Sequence, residues 1–377
     1  MVRDLVLLGC GHSHVAVLRA FGERPIPGVR LTLVTRERQA PYSGMLPGVV
    51  AGHYAPQDSQ IDSVALARFA GARLLHDEAV GIDLTGRSVR VQGGAALQYD
   101  LLSVNIGSRP GADVPGAPGH VIPVKPIDGF LTQFDALRAR VLAGQSRRIL
   151  MVGGGAGGVE LLLSVERRLR RDAAAAGLDP AQLDFALVTG APMILPEFPR
   201  AFRARFATVF AARGITIHAD TMVTGVTKQG IAAGHRTIPA DEVLWTTAAA
   251  AATWLSTTGL ALDPSGFVQV DACLRAAGRD DVFAAGDTVA FGPRPIPRSG
   301  VYAVRAGPVL ADNLRATLTG RRLRPYRPQR AVLYIVSTGE KYGVATRNGL
   351  TVGGRWAWWL KDRIDRGFIR RFTGLAH

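Results

Sequence analysis

Residues 148–160 read RILMVGGGAGGVE, an apolar run that ends in a glycine-rich turn. Gly153, Gly155 and Gly158 have the spacing G-x-G-x-x-G. In this pattern the first glycine permits a tight turn, the second lets the backbone approach a pyrophosphate, and the third lets helix and strand pack closely. The N-terminus of the following helix offers N–H groups and a partial positive charge to phosphate. The stretch therefore predicts a strand, a dinucleotide-binding turn and a helix.

An imperfect copy of the pattern opens the chain, where residues 5–14 read LVLLGCGHSH. Gly9 and Gly11 are kept, whereas His14 stands in place of the third glycine. We expect a pyrophosphate still to fit this turn, with His12 close to the phosphates. The alternative for each histidine is packing beneath the helix. Because His12 and His14 are two apart at a helix start, their side chains diverge, and no metal site is expected.

Each turn lies within a strand–turn–helix–strand segment, which predicts two parallel βαβ units and an α/β fold with two Rossmann-like dinucleotide-binding domains. The first unit is predicted as Asp4–Leu8, Val15–Phe21 and Val29–Val34, and the second as Arg148–Val152, Glu160–Arg171 and Asp184–Val188. Further strands are predicted at Tyr99–Ile106, Val243–Thr246, Val282–Ala285, Ala331–Val336 and Gly343–Ala345, and further helices at Phe130–Leu142 and Gly300–Leu314. The Pro/Gly-rich stretch Arg109–Gly119 predicts a crossing between domains.

The composition is that of a globular protein with a sizeable core: 377 residues, of which 47% are hydrophobic and 20% charged. The net charge of +15 is compatible with an anionic partner surface. It is equally compatible with a bias in base composition, because only four of the basic residues are lysines. Since no basic run interleaved with aromatic residues forms a recognisable module, no nucleic-acid partner is expected.

The two cysteines, Cys10 and Cys273, form no C-x-x-C motif, so neither a disulfide framework nor a thioredoxin-type pair is expected. No charged segment followed by an apolar one precedes the first strand, so no signal peptide is expected. No apolar run reaches the ~18 residues of a transmembrane helix. The expected location is the cytoplasm, either free or peripheral on the inner face of the cell membrane.

A third turn follows another predicted strand, where residues 282–290 read VFAAGDTVA. The carboxylate of Asp287 could accept a hydrogen bond from a sugar-like hydroxyl, and the helix behind it could face an electron-rich ring. An Asp after Gly286 is by itself more often a turn residue or a helix cap. The two dinucleotide-binding turns earlier in the chain favour the cofactor interpretation.

The stretches GCGHSH, SVNIGS, GGGAGGVE, VLWTTAA and VFAAGD occur in the order typical of the pyridine nucleotide-disulfide oxidoreductase family, and the chain resembles these flavoproteins over nearly its whole length. The resemblance implies that the first turn and Asp287 hold FAD, and that the second turn holds NAD(P)H. It also implies an FAD domain at 1–115 and 266–324, an NAD(P)-binding-like domain inserted at 116–265, and a small α+β C-terminal segment at 325–377. The predicted cofactor-binding residues are Gly9, Gly11, His12, Thr35, Arg36, Ser43, Val80, Gly107, Ser108, Gly286, Asp287, Gly153, Gly155 and Gly158.

Within the family the chain looks most like type II NADH dehydrogenases and sulfide:quinone reductases. The stretches PYSGMLPG, VKPID and YIVSTGEKYGVA resemble a group found fused ahead of selenophosphate synthetase. The resemblance implies an FAD-dependent oxidoreductase that passes electrons from NAD(P)H to a quinone or similar acceptor. The alternatives are a sulfide- or selenium-linked flavin oxidoreductase and a non-catalytic flavoprotein that senses redox state or binds a partner. Paired redox cysteines, which sulfide chemistry of the family type uses, are missing.

Four residues, at three sites, depart from the family pattern. Thr35 stands where an acid usually holds a ribose. Thr189 stands where a glutamate is expected in the second unit, which leaves NADH, NADPH and other donors open. Arg305 and Ala306 replace a glutamine pair of type II dehydrogenases, which leaves the acceptor open.

Two residues are candidates for the chemistry. By resemblance Glu160 lies near the interface of flavin and nicotinamide; the alternative is a helix-start carboxylate favoured by the dipole. Lys125 could stabilise a reduced, anionic flavin electrostatically, or it could be a linker lysine. The loop around Ser43 passes near the isoalloxazine by resemblance; the alternative is a plain turn.

The C-terminal residues 355–372 read RWAWWLKDRIDRGFIRRF and predict an amphipathic helix. The apolar stripe comprises Trp356, Leu360, Ile364, Phe368 and Phe372. The residues predicted on the opposite face are Arg363, Asp365, Arg366 and Arg370. Such a helix can lie in a membrane interface and meet anionic lipid, or it can pack its stripe on the FAD domain.

Overall fold

The computed structural model describes residues 2–94, 96–111, 114–247 and 249–375. The first sheet, of parallel strands in the order β10-β4-β1-β2-β3, contains β1 (Arg3–Leu8), β2 (Val29–Thr35), β3 (Arg73–His76), β4 (Leu101–Val104) and β10 (Val282–Ala284). The second, also parallel and in the order β5-β9-β6-β7-β8, contains β5 (Ile122–Pro123), β6 (Arg148–Val152), β7 (Asp184–Val188), β8 (Thr216–His218) and β9 (Glu242–Trp245).

The helices pack on these sheets and connect their strands. They are α1 (His12–Glu23), α2 (Leu46–Val50), α3 (Ser63–Phe69), α4 (Ile127–Leu142), α5 (Ala156–Ala175), α6 (Arg200–Ala212), α7 (Gly300–Leu318) and α8 (Arg355–Arg370). An antiparallel sheet near the C-terminus contains β11 (Tyr334–Ser337), β12 (Gly343–Arg347) and β13 (Leu350–Gly354). The smaller sheets contain Gln39–Pro41 with Gln60–Asp62; Ala79–Asp83, Ser88–Val91 and Ala96–Gln98; Arg109–Pro110 with Ala249–Ala250; Gly225–Thr227, Gly230–Ala233 and Arg236–Pro239; and Val268–Val270 with Val289–Phe291.

Burial of the parallel strands explains their continuous apolar sequences. Leu5 to Leu8 on β1 and Ile149 to Val152 on β6 are buried because helices cover both faces of a parallel sheet. Helix α1 packs closely on α7 at Gly307, where an added Cβ would lie 2.8 Å from that of Ala16. The first core therefore joins the start of the chain to a helix nearly 300 residues later.

The two central strands of the second unit are confirmed to the residue, at Arg148–Val152 and Asp184–Val188. Helix α1 is longer than predicted and begins at His12. The strand predicted at Tyr99–Ile106 pairs only over Leu101–Val104, because Asn105 turns its side chain to the neighbouring loops. Within the predicted crossing at 109–119, residues 112 and 113 lie outside the described residues.

His14 closes the first turn in place of the missing glycine. The side chain is fully buried, its Nδ1 lies 2.6 Å from the carbonyl oxygen of Gly9, and its Nε2 lies 2.8 Å from Oγ of Ser103 on β4. Nδ1–H therefore donates to the turn and Nε2 accepts from the serine. Burial lowers the pKa of His14 to about 4, so the ring is neutral at neutral pH.

This environment predicts an acid-sensitive fold. Between pH 6.5 and about 4 the unfolded chain binds a proton that folded His14 refuses, so the free energy of unfolding falls as pH falls. The full effect of this one group is roughly 3 kcal/mol. His14→Gly should lower stability at pH 7 and flatten its decline between pH 7 and pH 5, measured by urea denaturation. The exposed His76→Gln serves as control; an unchanged acid slope in His14→Gly would contradict the assignment.

Candidate active site

Three glycine turns meet at the carboxyl edge of the first sheet. Strands β1, β4 and β10 are neighbours, and each leads into a glycine with positive φ: Gly9 at 83°, Gly107 at 75° and Gly286 at 72°. A Cβ on Gly9 would lie 2.5 Å from the backbone oxygen of Asn105, whereas the space beside Gly107 is open in the described part of the chain. The edge therefore forms a crevice lined by backbone, at the place where parallel α/β sheets bind ligands.

The amide of Asn105 joins these turns. Its Oδ1 accepts from the backbone N–H groups of Ser13, at 3.1 Å, and His14, at 3.2 Å, while its Nδ2 donates to the carbonyl of Ala285 at 2.7 Å. A Cβ on Gly286 would lie 2.4 Å from that nitrogen. Our prediction of site residues missed Asn105. The available signal was a polar residue at the end of the apolar run LLSV.

Three predicted site residues from distant parts of the chain come together in the crevice. Nζ of Lys125 lies 3.1 Å from Oδ2 of Asp287 and donates to Oγ of Ser108, also at 3.1 Å. Thr288 fixes the two loops, because its hydroxyl oxygen accepts from the N–H of Gly107 at 3.0 Å. Lys125 is thus placed by an ion pair and is 41% exposed.

His12, the first residue of α1, lies beside this group and faces the start of α7. Its ring is edge-on to Tyr42, with 5.2 Å between ring centroids, and to Phe368, at 6.0 Å. A Cβ on Gly300 would lie 3.7 Å from Nδ1 of His12 and 3.9 Å from Oγ of Ser43. Burial lowers the pKa of His12 to about 4, so it is a neutral hydrogen-bonding group at this end of the crevice.

Our sequence interpretation overlooked the carboxylate of Glu37, which follows β2 and lies near the first turn. Thr35 is buried, and its hydroxyl accepts from the N–H of Glu37 at 3.3 Å. Arg36 pairs with Glu37 at 3.4 Å and with Glu78 at 3.9 Å. Burial and the nearby charge of Glu37 raise the pKa of Cys10, inside the turn, to about 12. An acid therefore faces this turn from two residues beyond the expected position.

Val80 lies on the strand Ala79–Asp83, two residues after Glu78, and is 39% exposed. Its role as a cofactor-binding residue stays a prediction.

The second turn has the geometry that its glycines imply. A Cβ on Gly153 would lie 2.5 Å from Oγ1 of Thr246, and one on Gly158 would lie 2.0 Å from the oxygen of Gly153. Beside Gly155 the space is open in the described structure. Thr189 is buried against this turn, and its hydroxyl accepts from the N–H of Ala191 at 3.2 Å.

Glu160, on α5, is buried against the C-terminal segment. Its Oε1 accepts from the backbone N–H of Ser337 at 2.8 Å and lies 4.0 Å from Nζ of Lys361. Burial raises the pKa of Glu160, and the charge of Lys361 opposes that rise. Burial alone would lower the pKa of Lys361, but the charges of Glu160 and Asp365 hold it above its usual value.

The chain of buried polar groups continues along α8. Nζ of Lys361 donates to Oδ2 of Asp365 at 2.9 Å and to the carbonyl of Gly44 at 2.7 Å, and the hydroxyl of Tyr42 donates to Oδ1 of Asp365 at 3.1 Å. The prediction that Asp365 lies on the solvent-exposed face of the helix is wrong, because the residue is only 4% exposed. Its burial is possible because Lys361 compensates the negative charge and Tyr42 donates a hydrogen bond to the carboxylate. Our sequence reasoning did not identify Lys361 or Asp365 as a pair.

A cavity of about 1050 Å³ adjoins the polar chain formed by Glu160, Lys361, Asp365 and Tyr42. Ser43 and Gly300 line it next to His12, and Glu160 lines it from α5. Arg305, which stands in place of the expected glutamine pair, also lines it. A space of this size, with apolar walls and a few converging polar groups, can hold a ring-sized organic molecule.

Among the described residues, no cluster of three or more His, Cys, Asp or Glu side chains is arranged to hold a metal ion. Within the same residues, none of the helices combines the length and the apolar composition needed to cross a bilayer.

Comparisons with known proteins show the family to which the chain belongs. A family model described as "Pyridine nucleotide-disulphide oxidoreductase" matches residues 3–307. Demethylphylloquinone reductase NdbB of Synechocystis sp. is 26% identical over 280 residues, which cover 71% of this chain and 67% of that protein. A type II NADH:quinone oxidoreductase of Staphylococcus epidermidis is 25% identical over 236 residues, which cover 60% of this chain but only 58% of that protein.

Among solved structures, the sulfide:quinone oxidoreductase from the hyperthermophilic bacterium Aquifex aeolicus matches with a TM-score of 0.82 and 17% identity, over 99% of this chain and 92% of that one. At this identity the likeness shows the fold. Together with the two parallel sheets, it confirms the predicted α/β class with Rossmann-like units.

Asn105→Ala tests the junction of the three turns. Removal of the amide leaves the carbonyl of Ala285 and the N–H of Ser13 without their partner, so the free energy of unfolding should fall by about 2–4 kcal/mol. Asn313→Ala is the matched control, because Asn313 is equally buried and makes hydrogen bonds away from the crevice. Only Asn105→Ala should also lower the amount of flavin bound to the purified protein. Equal flavin contents in both variants would contradict this role.

Proposed function

Because the chain belongs to the pyridine nucleotide-disulphide oxidoreductase family, we propose that it is an FAD-dependent oxidoreductase that takes electrons from NAD(P)H and passes them to a quinone or similar acceptor. The observation that carries the proposal is the Lys125–Asp287–Ser108 cluster at the edge of the first sheet, beside a ring-sized cavity. The oxidoreductase class agrees with the names of the relatives, a demethylphylloquinone reductase and a type II NADH:quinone oxidoreductase.

The crevice of the first sheet fits FAD. Backbone approaches a ligand freely at Gly107, where a side chain would fill open space. We assign the pyrophosphate to the turn at Gly9 and Gly11, a ribityl hydroxyl to the carboxylate of Asp287, and the ribose at the other end to Thr35 or Glu37. When bound, FAD supplies the ring that accepts a hydride and gives up electrons. Lys125 would offer its positive charge to the reduced ring.

In this proposal 1–115 with 266–324 forms the FAD domain, 116–265 the inserted NAD(P)-binding-like domain, and 325–377 the C-terminal segment. Gly153, Gly155 and Gly158 would hold the donor's pyrophosphate. Thr189 is buried and provides no carboxylate to hold the ribose 2′-hydroxyl of NADH. Both NADH and NADPH are therefore candidate donors.

The cavity is the proposed acceptor site. A quinone takes up two protons with two electrons, so its site needs groups that hold protons. Glu160, Lys361, Asp365 and Tyr42 line the cavity and form a connected polar chain. We assign to Glu160, whose pKa is raised by burial, the role of holding a proton next to the reacting ring.

The C-terminal helix supports peripheral attachment to a membrane. Trp359 is 57% exposed and Ile364 48%, and Leu350 on the adjacent strand β13 is 71% exposed. Phe368 and Phe372, from the predicted stripe, are buried instead. The later half of the helix packs on the core, whereas its Trp-rich start is exposed, and this exposure supports the proposed membrane interface.

Sulfide or selenium chemistry is a weaker candidate function. The selenium alternative rests on the resemblance to the group fused to selenophosphate synthetase. Neither Cys10 nor Cys273 lines the cavity, and burial raises the pKa of both thiols, which keeps them protonated. A thiolate is the reactive form in such chemistry.

The absorption spectrum of the purified protein tests the function directly. Flavin bands are expected, and anaerobic addition of NADH or NADPH should bleach them within the mixing time. Persistent bands with both nucleotides would refute the proposed donor and favour a non-catalytic flavoprotein. An absence of flavin bands after reconstitution with FAD would refute the cofactor assignment.

Lys125→Met tests the ion pair at the flavin site. Loss of the positive charge should lower the two-electron reduction potential of the bound flavin by about 30 mV, since partial exposure weakens the effect. Lys125→Arg keeps the charge and should shift the potential less. The potential is measured by equilibration with a reference dye. Equal potentials in wild type and Lys125→Met would mean that Lys125 only positions Asp287.

A further inference from the structure

The cavity has an uneven distribution of charge. Its carboxylates, Glu160 and Asp365, both face Lys361, at 4.0 and 2.9 Å. Its other charged lining residues are arginines: Arg305, Arg324, Arg327 and Arg371. The cationic side chains therefore exceed what the acids of the cavity can compensate.

Three of these arginines, all of them exposed, have no acidic partner among the described residues. Arg324 lies 2.8 Å from Asp312, but Arg305, Arg327 and Arg371 form no ion pair within 4.0 Å with any described residue. Arg305 lies near the segment that contains Arg324 and Arg327, because its positive charge acts on Tyr326 within that segment. Burial raises the pKa of Tyr326 to about 12, and the positive charge of Arg305 opposes that rise.

An unpartnered amide lies on the same wall. Nε2 of Gln329 is buried and has no acceptor among the described residues, although Gln329 lines the cavity. Buried amide N–H groups are rarely left without an acceptor in native proteins. An oxygen of a bound molecule would satisfy it after a rotation of the side chain toward the cavity, since the nitrogen is shielded in its present position.

Much of the remaining wall is apolar. This part includes Val304, Pro308, Val309, Leu333, Ile364 and Phe368. A molecule that matches this cavity has an apolar, ring-sized body and an oxygen-bearing anionic group. Arginine suits such a group, because its planar fork binds carboxylate, sulfonate or phosphate oxygens in pairs.

We propose that the acceptor reduced in this cavity is a quinone that carries an anionic substituent, held by Arg305, Arg327 and Arg371 with the amide of Gln329. The inference rests on the proposed function and specifies its acceptor class. With the cofactor bound, the quinone ring would gain two electrons and one proton, supplied by the hydride of NAD(P)H, and a second proton from solvent, and would become a hydroquinone. The anionic substituent is unchanged by the reaction and serves only for recognition.

The first experiment measures binding without any electron donor. Equilibrium dialysis gives the Kd of naphthalene-2-sulfonate, which is redox-inert, for wild type, Arg305→Gln and the triple variant R305Q/R327Q/R371Q. The triple variant should bind about tenfold more weakly, the loss expected for charged hydrogen bonds at a partly exposed site. Arg322→Gln, at an exposed arginine that does not line the cavity, should bind as wild type does.

The second experiment measures electron transfer from photochemically reduced holoprotein by stopped flow. The acceptors are 1,4-naphthoquinone-2-sulfonate and neutral 1,4-naphthoquinone. The triple variant should lower the rate constant for the sulfonate about tenfold and that for the neutral quinone less than twofold, and Arg305→Gln should show a smaller loss with the same selectivity for the sulfonate. Because no nucleotide is used, this result is independent of the donor.

Three outcomes would overturn the inference. Equal losses with both quinones would mean that the arginines only maintain the cavity. Equal losses in Arg322→Gln would mean general charge steering. Unchanged sulfonate binding, with lost binding of phosphatidylglycerol vesicles, would mean that the arginines meet a lipid headgroup. If the charge-dependent discrimination holds while NADH and NADPH fail to bleach the flavin, the inference stands and the donor assignment fails.

Discussion

The hydrogen bonds of the Asn105 amide hold the first sheet's functional edge together. One side chain accepts from the start of α1 and donates to the turn after β10, so it fixes three loops that are far apart in sequence. It also explains why Gly11 and Gly286 must lack side chains, because a Cβ at either position would lie 2.4 Å from the amide. Glycine is therefore required at Gly11 for two reasons: the Asn105 amide leaves no space for a side chain, and a pyrophosphate needs close access to the backbone.

The C-terminal helix makes the second essential connection. Lys361 on α8 lies between Glu160 of the second unit and the loop at Gly44 of the first. Burying two carboxylates and one ammonium costs desolvation free energy, which their mutual attraction offsets only if the geometry is well kept. The arrangement therefore fixes the position of α8 as well as providing proton-holding groups, and it closes one side of the cavity.

The departures from the family pattern have physical counterparts in the structure. His14 replaces the packing glycine and supplies two hydrogen bonds of its own. Glu37 places an acid near the turn although Thr35 has none. Arg305 lines the cavity where the resemblance implied a glutamine pair, and Gln329 adds an amide to the same wall from a different segment. These replacements point to altered ligand contacts on a retained scaffold.

The sequence alone determined the two strand–turn–helix units, including the bounds of β6 and β7, because glycine spacing and apolar runs are local properties. It also identified Lys125, Ser108 and Asp287 one by one. Only the tertiary structure paired them, since Lys125 and Asp287 are 162 residues apart and meet through the order of the strands. The burial of Asp365 likewise depends on the tertiary structure. Helical periodicity assigned this residue to solvent, but its carboxylate is buried because Lys361 compensates its charge and Tyr42 donates a hydrogen bond to it.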